Sequence, residues 1–377
     1  MRQPLVALDV GMTKVACAVG LAHQRSLGFE LLGSSLVAYP SDAASWLADP
    51  LLVGQTIERA LEATAVRGEF HRALVTINHP WLASEQVRVS VPLGDEPVTV
   101  RMQDLDRLQR AALDQVLGID REPLLVERLG CAGNGFEGVR DPRGLAATRL
   151  MGAFHIITMP VAARRALVQA VESAGLEVAQ LTHSLVALWA GIADEERHRQ
   201  RVLVVDIGGL SVDVGWFVEG LLSAAHILPW GGATLAADIA KTLRVTMEQA
   251  MVWSLEGTAC RKSEVPPLIE ARWRSIQDAA GELLEGQPRP DAVLISGRGA
   301  LIDGFAEWLE QTVESSTQVC RSPRASAAGE LSRQVGLSAA MGLLEMATRT
   351  PDGSIMDSPR LLNRLIGRTR TLLTEYF

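Results

Sequence analysis

Two short stretches of this chain carry the residue types that phosphate and metal chemistry needs. Leu5 to Gly20 reads LVALDVGMTKVACAVG, and Val202 to Phe217 reads VLVVDIGGLSVDVGWF. In each, an apolar run enters an aspartate, a glycine turn follows, and a second apolar run leaves it. That is the pattern of a buried strand, a tight turn and a return strand. Asp9 and Asp206 are thereby delivered to the lip of a turn. Glycine tolerates positive φ and has no Cβ, so backbone amides at Gly11 and at Gly208-Gly209 can converge on an anion such as a nucleotide phosphate. A hard cation such as Mg2+ takes carboxylate and phosphate oxygens, so Asp9 and Asp206 are the candidate metal ligands. Asp206 is also the candidate catalytic group, as the carboxylate that would position a water. Lys14, just beyond the first turn, is placed to meet phosphate charge. Gly231-Gly232, before a helical run, offers further amides to an anion.

The elements that must position these groups follow from periodicity. After the first hairpin the pattern predicts a strand at Leu31 to Val37, a helix at Leu51 to Val66 and a strand at Arg72 to Ile77. From about 77 to 160 the texture changes. Strand candidates Gln86 to Val91, Val98 to Val100, Leu124 to Leu129 and Leu150 to Thr158 surround a helix at Met102 to Val116 and a glycine-rich loop at Gly130 to Gly138, which reads as an inserted α/β unit. Pro160 starts a helix that Gly175 ends, then come a strand at Val178 to Leu181, a helix near Ser184 to Ala193 and a charged connector, Glu195 to Arg201. Beyond the second hairpin the pattern gives a strand at Leu221 to Leu228, helices at Leu235 to Leu243 and Met247 to Leu255, and a break at Arg261 to Pro267. A long helix at Leu268 to Leu284, a strand at Ala292 to Ile295 and helices at Phe305 to Val313 and Val335 to Ala347 complete the core. The recurrence of the hairpin implies a duplicated two-domain α/β fold with its site between the copies.

Composition narrows the class. The 377 residues suffice for two domains with cores of their own, and 47% hydrophobic with 21% charged residues is a globular balance. A net charge of -8 without a basic stripe in the body of the chain argues against nucleic acid as a partner. Cys17, Cys131, Cys260 and Cys320 lack C-x-x-C spacing, which argues against a zinc site or a disulfide framework and fits a reducing cytoplasm. His155 and His183 sit in apolar surroundings and read as packing histidines. No nucleophile, base and orienter set supports a serine or cysteine hydrolase. The N-terminal apolar run breaks at Asp9 and no stretch reaches the length of a spanning helix, so a cytoplasmic protein is expected.

Four motifs in order carry a resemblance. Asp9-Val10-Gly11-x-Thr13-Lys14, Asp206-Ile207-Gly208-Gly209, Pro229-x-Gly231-Gly232 and Ser296-Gly297-x-Gly299-Ala300-x-x-x-Gly304 resemble the phosphate, connecting and adenosine motifs of the actin, Hsp70 and sugar-kinase superfamily. Within it the chain looks like the bacterial cell-division family FtsA, from LDVGMTKVACAVG through GVRDPRGLAATRLMGAFHIIT to DIGGLSVDV. The resemblance implies a two-domain actin-like α/β fold with an inserted subdomain called 1C. Subdomain 1A would be residues 1–76 with 161–200, 1C 77–160, 2A 201–257 with 290–347, and a reduced 2B 258–289. It also implies ATP with Mg2+ in the cleft, self-assembly into filaments and tethering of FtsZ. Nucleotide contacts would come from Gly11, Met12, Thr13 and Lys14, from Gly208, Gly209 and Leu210, from Gly231 and Gly232, and from Gly297, Arg298 and Gly299.

The chain also departs from the family. Leu210 and Val212 replace a glycine and a threonine of the second phosphate motif, and Arg298 replaces a glycine of the adenosine motif. Where the family places Glu and Lys for ribose and base, this chain has Met251 and Ser254, or Ala250 and Trp253 one register over, and neither frame supplies the pair. Weaker nucleotide binding and at most a slow ATPase are expected. The short segment between Gly257 and Leu268 puts the FtsZ-facing lobe in question.

The tail is a feature of its own. After a linker at 348–358, Leu361, Leu362, Leu365, Ile366, Leu372, Leu373, Tyr376 and Phe377 form an apolar stripe, with Arg360, Arg364, Arg368 and Arg370 largely off it. That pattern suits the interface of an anionic bilayer, and the resemblance implies a membrane-targeting helix there, placing the protein on the inner face of the cell membrane. Two other readings share the fold: a PilM-like pilus-assembly adaptor and a small-molecule kinase.

Overall fold

The structure, a computed structural model, describes residues 4–23, 28–40, 49–255 and 262–349. The first lobe opens with β1 (Leu5–Val10), β2 (Lys14–Ala22), β3 (Phe29–Ala38), α1 (Pro50–Ala63) and β4 (Arg72–Ile77). An insertion follows: β5 (Ala83–Pro92), β6 (Val98–Thr99), α2 (Met102–Val116), β7 (Arg121–Gly133), β8 (Phe136–Val139), β9 (Ala146–Ala147) and β10 (Arg149–Pro160). The first lobe resumes with α3 (Val161–Ser173), β11 (Glu177–His183) and α4 (Ser184–Ile192). The second lobe holds β12 (Arg201–Ile207), β13 (Val212–Val218), β14 (Leu221–Leu228), α5 (Gly232–Leu243), α6 (Met247–Leu255), α7 (Pro266–Leu284), β15 (Ala292–Ser296), α8 (Phe305–Val313) and β16 (Thr317–Val319), and α9 (Leu331–Arg349) closes the described chain.

Two five-stranded sheets repeat one topology. Their orders are β3-β2-β1-β4-β11 and β14-β13-β12-β15-β16. In each, three antiparallel strands are followed by two parallel ones. The expected duplication is thus present strand for strand. β1 and β12 are central and buried on both faces, which is why LVAL and VLVV are continuous apolar runs.

Local chemistry sets the helix boundaries. Asp49 caps α1 by accepting from the Leu52 amide at 3.0 Å, and Pro50 fills the first helical position, where a missing amide costs nothing. Gly175, at φ +76°, ends α3 in the left-handed conformation that a side chain rarely adopts.

α1 and α3 pack together over the outer face of the first sheet, and α4 with α9 lies on its inner face. α4 also meets the second sheet: Trp189 stacks on Phe217 of β13 with ring centroids 4.4 Å apart. The far side of the second sheet carries a separate core, with Ile239 of α5, Ile276 of α7 and Leu309 of α8 buried against it. The insertion has a third core, in which Leu105, Leu108 and Leu113 of α2 cover the sheet β5-β10-β7-β8.

Several sequence expectations need correction. Residues 335–347 belong with the first lobe: α9 packs on β1, β2, β3 and α4. Gly191 and Gly342 bring α4 and α9 so close that a Cβ on Gly342 would meet the Ala187 carbonyl, so small residues at the crossing choose the partner. The glycine-rich stretch 130–138 is a hairpin, β7 to β8, turning at Asn134-Gly135. α5 and α7 begin at Gly232 and Pro266, before the expected Leu235 and Leu268, and Thr348 is still helical. The described part of 258–289 supplies α7, laid directly on β13 and β14, and forms no lobe of its own. β16, three residues long, has no counterpart in the expectations. Cys17, Cys131 and Cys320 are free and buried, while Cys260 and the tail at 359–377 lie outside the described residues. No helix among the described residues is long and apolar enough to cross a membrane.

Candidate functional site

The two aspartate hairpins meet. Gly11 donates to the Lys14 carbonyl at 3.0 Å and Gly208 to the Ser211 carbonyl at 2.9 Å, so both turns close in the same way. Thr13 of the first turn lies against Gly209 of the second, where a Cβ would stand 2.4 Å from Thr13 Oγ1. Gly231 sits over the second turn so tightly that its Cβ would fall 2.5 Å from the Gly208 carbonyl oxygen. Gly297, at φ +78°, and Gly299 close on the end of β12, with added Cβ atoms 2.2 Å from the Ile207 carbonyl oxygen and 2.1 Å from Ile207 Cγ2. The four motifs, distant in sequence, therefore form one site between the lobes. Arg298 is exposed beside it, and Met12 and Leu210 pack toward the core.

Hydrogen bonding divides the expected phosphate amides into two groups. Those of Gly232 and Ala233 donate to the Gly208 and Gly209 carbonyls at 2.9 and 2.8 Å, and that of Gly231 donates to Thr234 Oγ1 at 2.8 Å. The start of α5 thus braces the second turn and does not present free amides, which corrects the expectation for Gly231 and Gly232, and the bonds that close the two turns likewise take up the amides expected of Gly11 and Gly208. The amides of Thr13, Gly209 and Leu210 have no acceptor among the described residues. Free turn amides of this kind fit an oxyanion.

The carboxylates differ in their surroundings. Asp9 Oδ1 accepts from Thr76 Oγ1 at 2.8 Å, and its Oδ2 lies 3.6 Å from Lys14 Nζ. Asp206 has its pKa pushed up to about 6 by burial, with the Asp9 charge adding and Lys14 opposing. Asp213, paired across β12 and β13 with Asp206, is fully buried, and neither carboxylate oxygen has a hydrogen bond of good geometry, with Ser184 and His183 as its polar neighbours. Burial drives its carboxyl well up, and Asp206 adds to the effect. His183 Nε2 stands 3.8 Å from Asp213 Oδ2, while its Nδ1 accepts from the Leu185 amide. A carboxylate inside the otherwise apolar β13 is the sequence signal that the hairpin reading passed over. Among the described residues no three His, Cys, Asp or Glu side chains converge as a metal cage.

Nucleotide fits one end of this site. Free turn amides, Asp9 and Asp206 suit a polyphosphate with its cation. At the other end, Ser254 gives its hydroxyl to the Ala250 carbonyl and Met251 packs on the second core, so neither replaces a polar clamp on ribose and base.

Comparison with known proteins gives the frame. Residues 81–158 match the model of the SHS2 domain inserted in FtsA. FtsA of Pseudomonas aeruginosa is 28% identical over 253 residues, covering 65% of this chain and 59% of that protein. FtsA of Bacillus subtilis is 21% identical over 345 residues, 83% of this chain and 78% of that protein. The chain is similar in sequence to FtsA. Against the Pseudomonas FtsA the match spans less than two thirds of that protein's length. Among solved structures, the PilM-PilN type IV pilus biogenesis complex matches with TM-score 0.71 at 15% identity, covering 93% of this chain and 100% of that one. MreB 5 of Spiroplasma citri bound to AMPPNP matches with TM-score 0.50 at 12% identity, covering 94% and 99%. The fold is the actin-like one, with the FtsA-type insertion between β4 and α3.

Proposed function

We propose that this protein is an actin-like adaptor of bacterial cell division, held on the inner face of the membrane by residues 359–377. It assembles into filaments and links a cytoplasmic division protein such as FtsZ to the bilayer. The observation that carries this reading is the FtsA-type SHS2 domain at 81–158, set in a duplicated actin-like frame. The arginine-flanked apolar stripe from Leu361 to Phe377 supports the membrane part, since apolar insertion and about 1 kcal/mol per basic residue near an anionic surface add together.

ATP with Mg2+ would enter the cleft phosphates first. The Thr13, Gly209 and Leu210 amides would hold the polyphosphate, and Asp9 and Asp206 would face its cation. The bound group supplies a difference in affinity between open and closed lobes, and so a bias on assembly. Without a clamp on the base binding is weaker, and with Leu210 and Val212 in the second phosphate turn hydrolysis is slow or absent. Electron microscopy on an anionic lipid monolayer, with and without Mg-ATP, tests anchor, polymer and nucleotide together. Lipid-bound filaments are expected, and bare monolayers at saturating protein would refute the reading.

A pilus-assembly adaptor is the second reading, favoured by the full-length structural match to the PilM-PilN complex. Binding to immobilised FtsZ separates the two.

A further inference from the structure

Lys14 belongs to two parts of the molecule. Its ammonium donates to the Gly336 carbonyl at 3.0 Å and stands 3.6 Å from Asp9 Oδ2, with 18% of the side chain exposed. Gly336 lies in the N-terminal half of α9, where a Cβ would press Leu36 Cδ1 at 2.6 Å and stand in ordinary contact, 3.7 Å, with Lys14 Nζ. The same helix touches the short turn at 298–301, so α9 borders the glycine loops of both lobes. Its other end is held elsewhere, by Leu344 against Gly20 and by the Thr348 hydroxyl, which accepts from the Gly28 amide at 3.2 Å. After Arg349 the chain continues into the tail.

The ammonium has three N–H donors, and two acceptors, Gly336 and Asp9, are already within its reach. The bond to Gly336 is charged on the lysine side alone, whereas a bond to a phosphate oxygen is charged on both sides, and the carbonyl of a helical residue already has a ladder partner. A polyphosphate in the cleft is therefore the stronger acceptor for the ammonium, and a lysine turned toward it leaves Asp9 to face the cation. We propose that Lys14 couples the cleft to the C-terminal helix: polyphosphate draws its ammonium off Gly336 and releases the N-terminal half of α9, the element that leads into residues 350–377. This rests on the nucleotide reading given above.

Hydrogen exchange on the full-length protein tests it, comparing amides of 331–341 with those of 342–349, with calorimetric titration of Mg-AMPPNP run in parallel. In the wild type, saturating Mg-AMPPNP is expected to speed exchange at 331–341 about five-fold, the equivalent of one lost hydrogen bond, and to leave 342–349 unchanged. Lys14→Met should show the faster exchange without nucleotide. Lys14→Gln keeps a donor for Gly336 without the charge, so it should retain the protection and lose the response; it also serves if Lys14→Met fails to fold. Binding heat with unchanged exchange at 331–341 overturns the coupling and leaves the nucleotide reading standing. Absence of binding heat at millimolar Mg-AMPPNP overturns the nucleotide reading, and the coupling with it. Wild-type protection at 331–341 in folded Lys14→Met overturns the coupling by itself.

Discussion

His155 Nδ1 lies 2.8 Å from the Leu222 carbonyl oxygen, a bond that joins the inserted sheet to the edge strand of the second lobe. A carbonyl only accepts, so Nδ1 carries the proton and Nε2 accepts from Ser84 Oγ at 2.9 Å. Gln86 Nε2 donates to the Ser223 carbonyl at 2.7 Å, and Arg140 Nη2 donates to Glu219 Oε2 at 2.8 Å. The insertion, covalently part of the first lobe, is thus bonded to the second by polar contacts. Motion between the lobes must break or carry them.

His155 predicts an acid response. Burial lowers its pKa from 6.5 to about 4, against the raising effect of its bond to Leu222. The unfolded chain therefore takes up the proton first, and the His155 contribution to stability is lost as pH falls from 6.5 through 4. His79, lowered to about 4, acts in the same direction, whereas Asp206 at about 6 and Glu127 at about 7 act in the opposite one. The variant comparison isolates the term. His155→Asn should lose about 1–3 kcal/mol at pH 7 and show a smaller further loss on acidification than the wild type. Urea unfolding at pH 7, 6 and 5 measures both, and an unchanged acid limb would count against the assignment.

The contact between Thr13 and Gly209 predicts coupling between the hairpins. Gly209→Ala places a methyl 2.4 Å from the Thr13 side chain, and should cost about 1–3 kcal/mol. Thr13→Gly in the same chain should restore at least half of that. A double-mutant cycle by thermal unfolding checks it; additive losses would mean that the turns do not touch.

Asp206→Asn should stabilise the nucleotide-free protein above pH 7. Its raised pKa means that the ionised carboxylate is disfavoured by burial and by Asp9, and the amide removes that cost. A rise in Tm of roughly 2–4 °C, about 1 kcal/mol, is expected at pH 8 and should vanish near pH 4. Mg-nucleotide affinity should fall in the same variant. A lower Tm at pH 8 would show Asp206 to be stabilising as the anion.

Truncation after Ser358 should abolish pelleting with anionic vesicles while leaving the unfolding midpoint within a degree or so of the full chain. Raising salt from 0.1 to 0.5 M should weaken binding of the full chain, because Arg360, Arg364, Arg368 and Arg370 act through screened charge. Equal pelleting of both forms would remove the anchor.

Much of the frame was legible in the sequence, because alternating and continuous apolar runs report strand burial directly. LVAL and VLVV gave β1 and β12, and the repeated glycine turn gave the duplication. What periodicity cannot report is the destination of an element. α9 is a helix buried on all sides over residues 334–344, so periodicity picks out no face for it, and the close fit of Gly342 against α4 is what sends it to the first lobe. Nor does a glycine pair reveal whether its amides are free, and those of Gly232 and Ala233 are taken by a turn more than twenty residues upstream. Asp213 escaped notice because a strand pattern tolerates one charged residue, and only its burial shows how costly that residue is.

The return of α9 to the first lobe has a mechanical consequence. β1 opens the described chain in that lobe and α9 closes it there, so the second lobe is an excursion between two halves of one body. Tension applied beyond Arg349 is borne by the interlocked backbones of α4 and α9 and by the sheet beneath them. The second lobe stays off the load path, and the bonds from the insertion to β14 are spared while the first lobe is pulled.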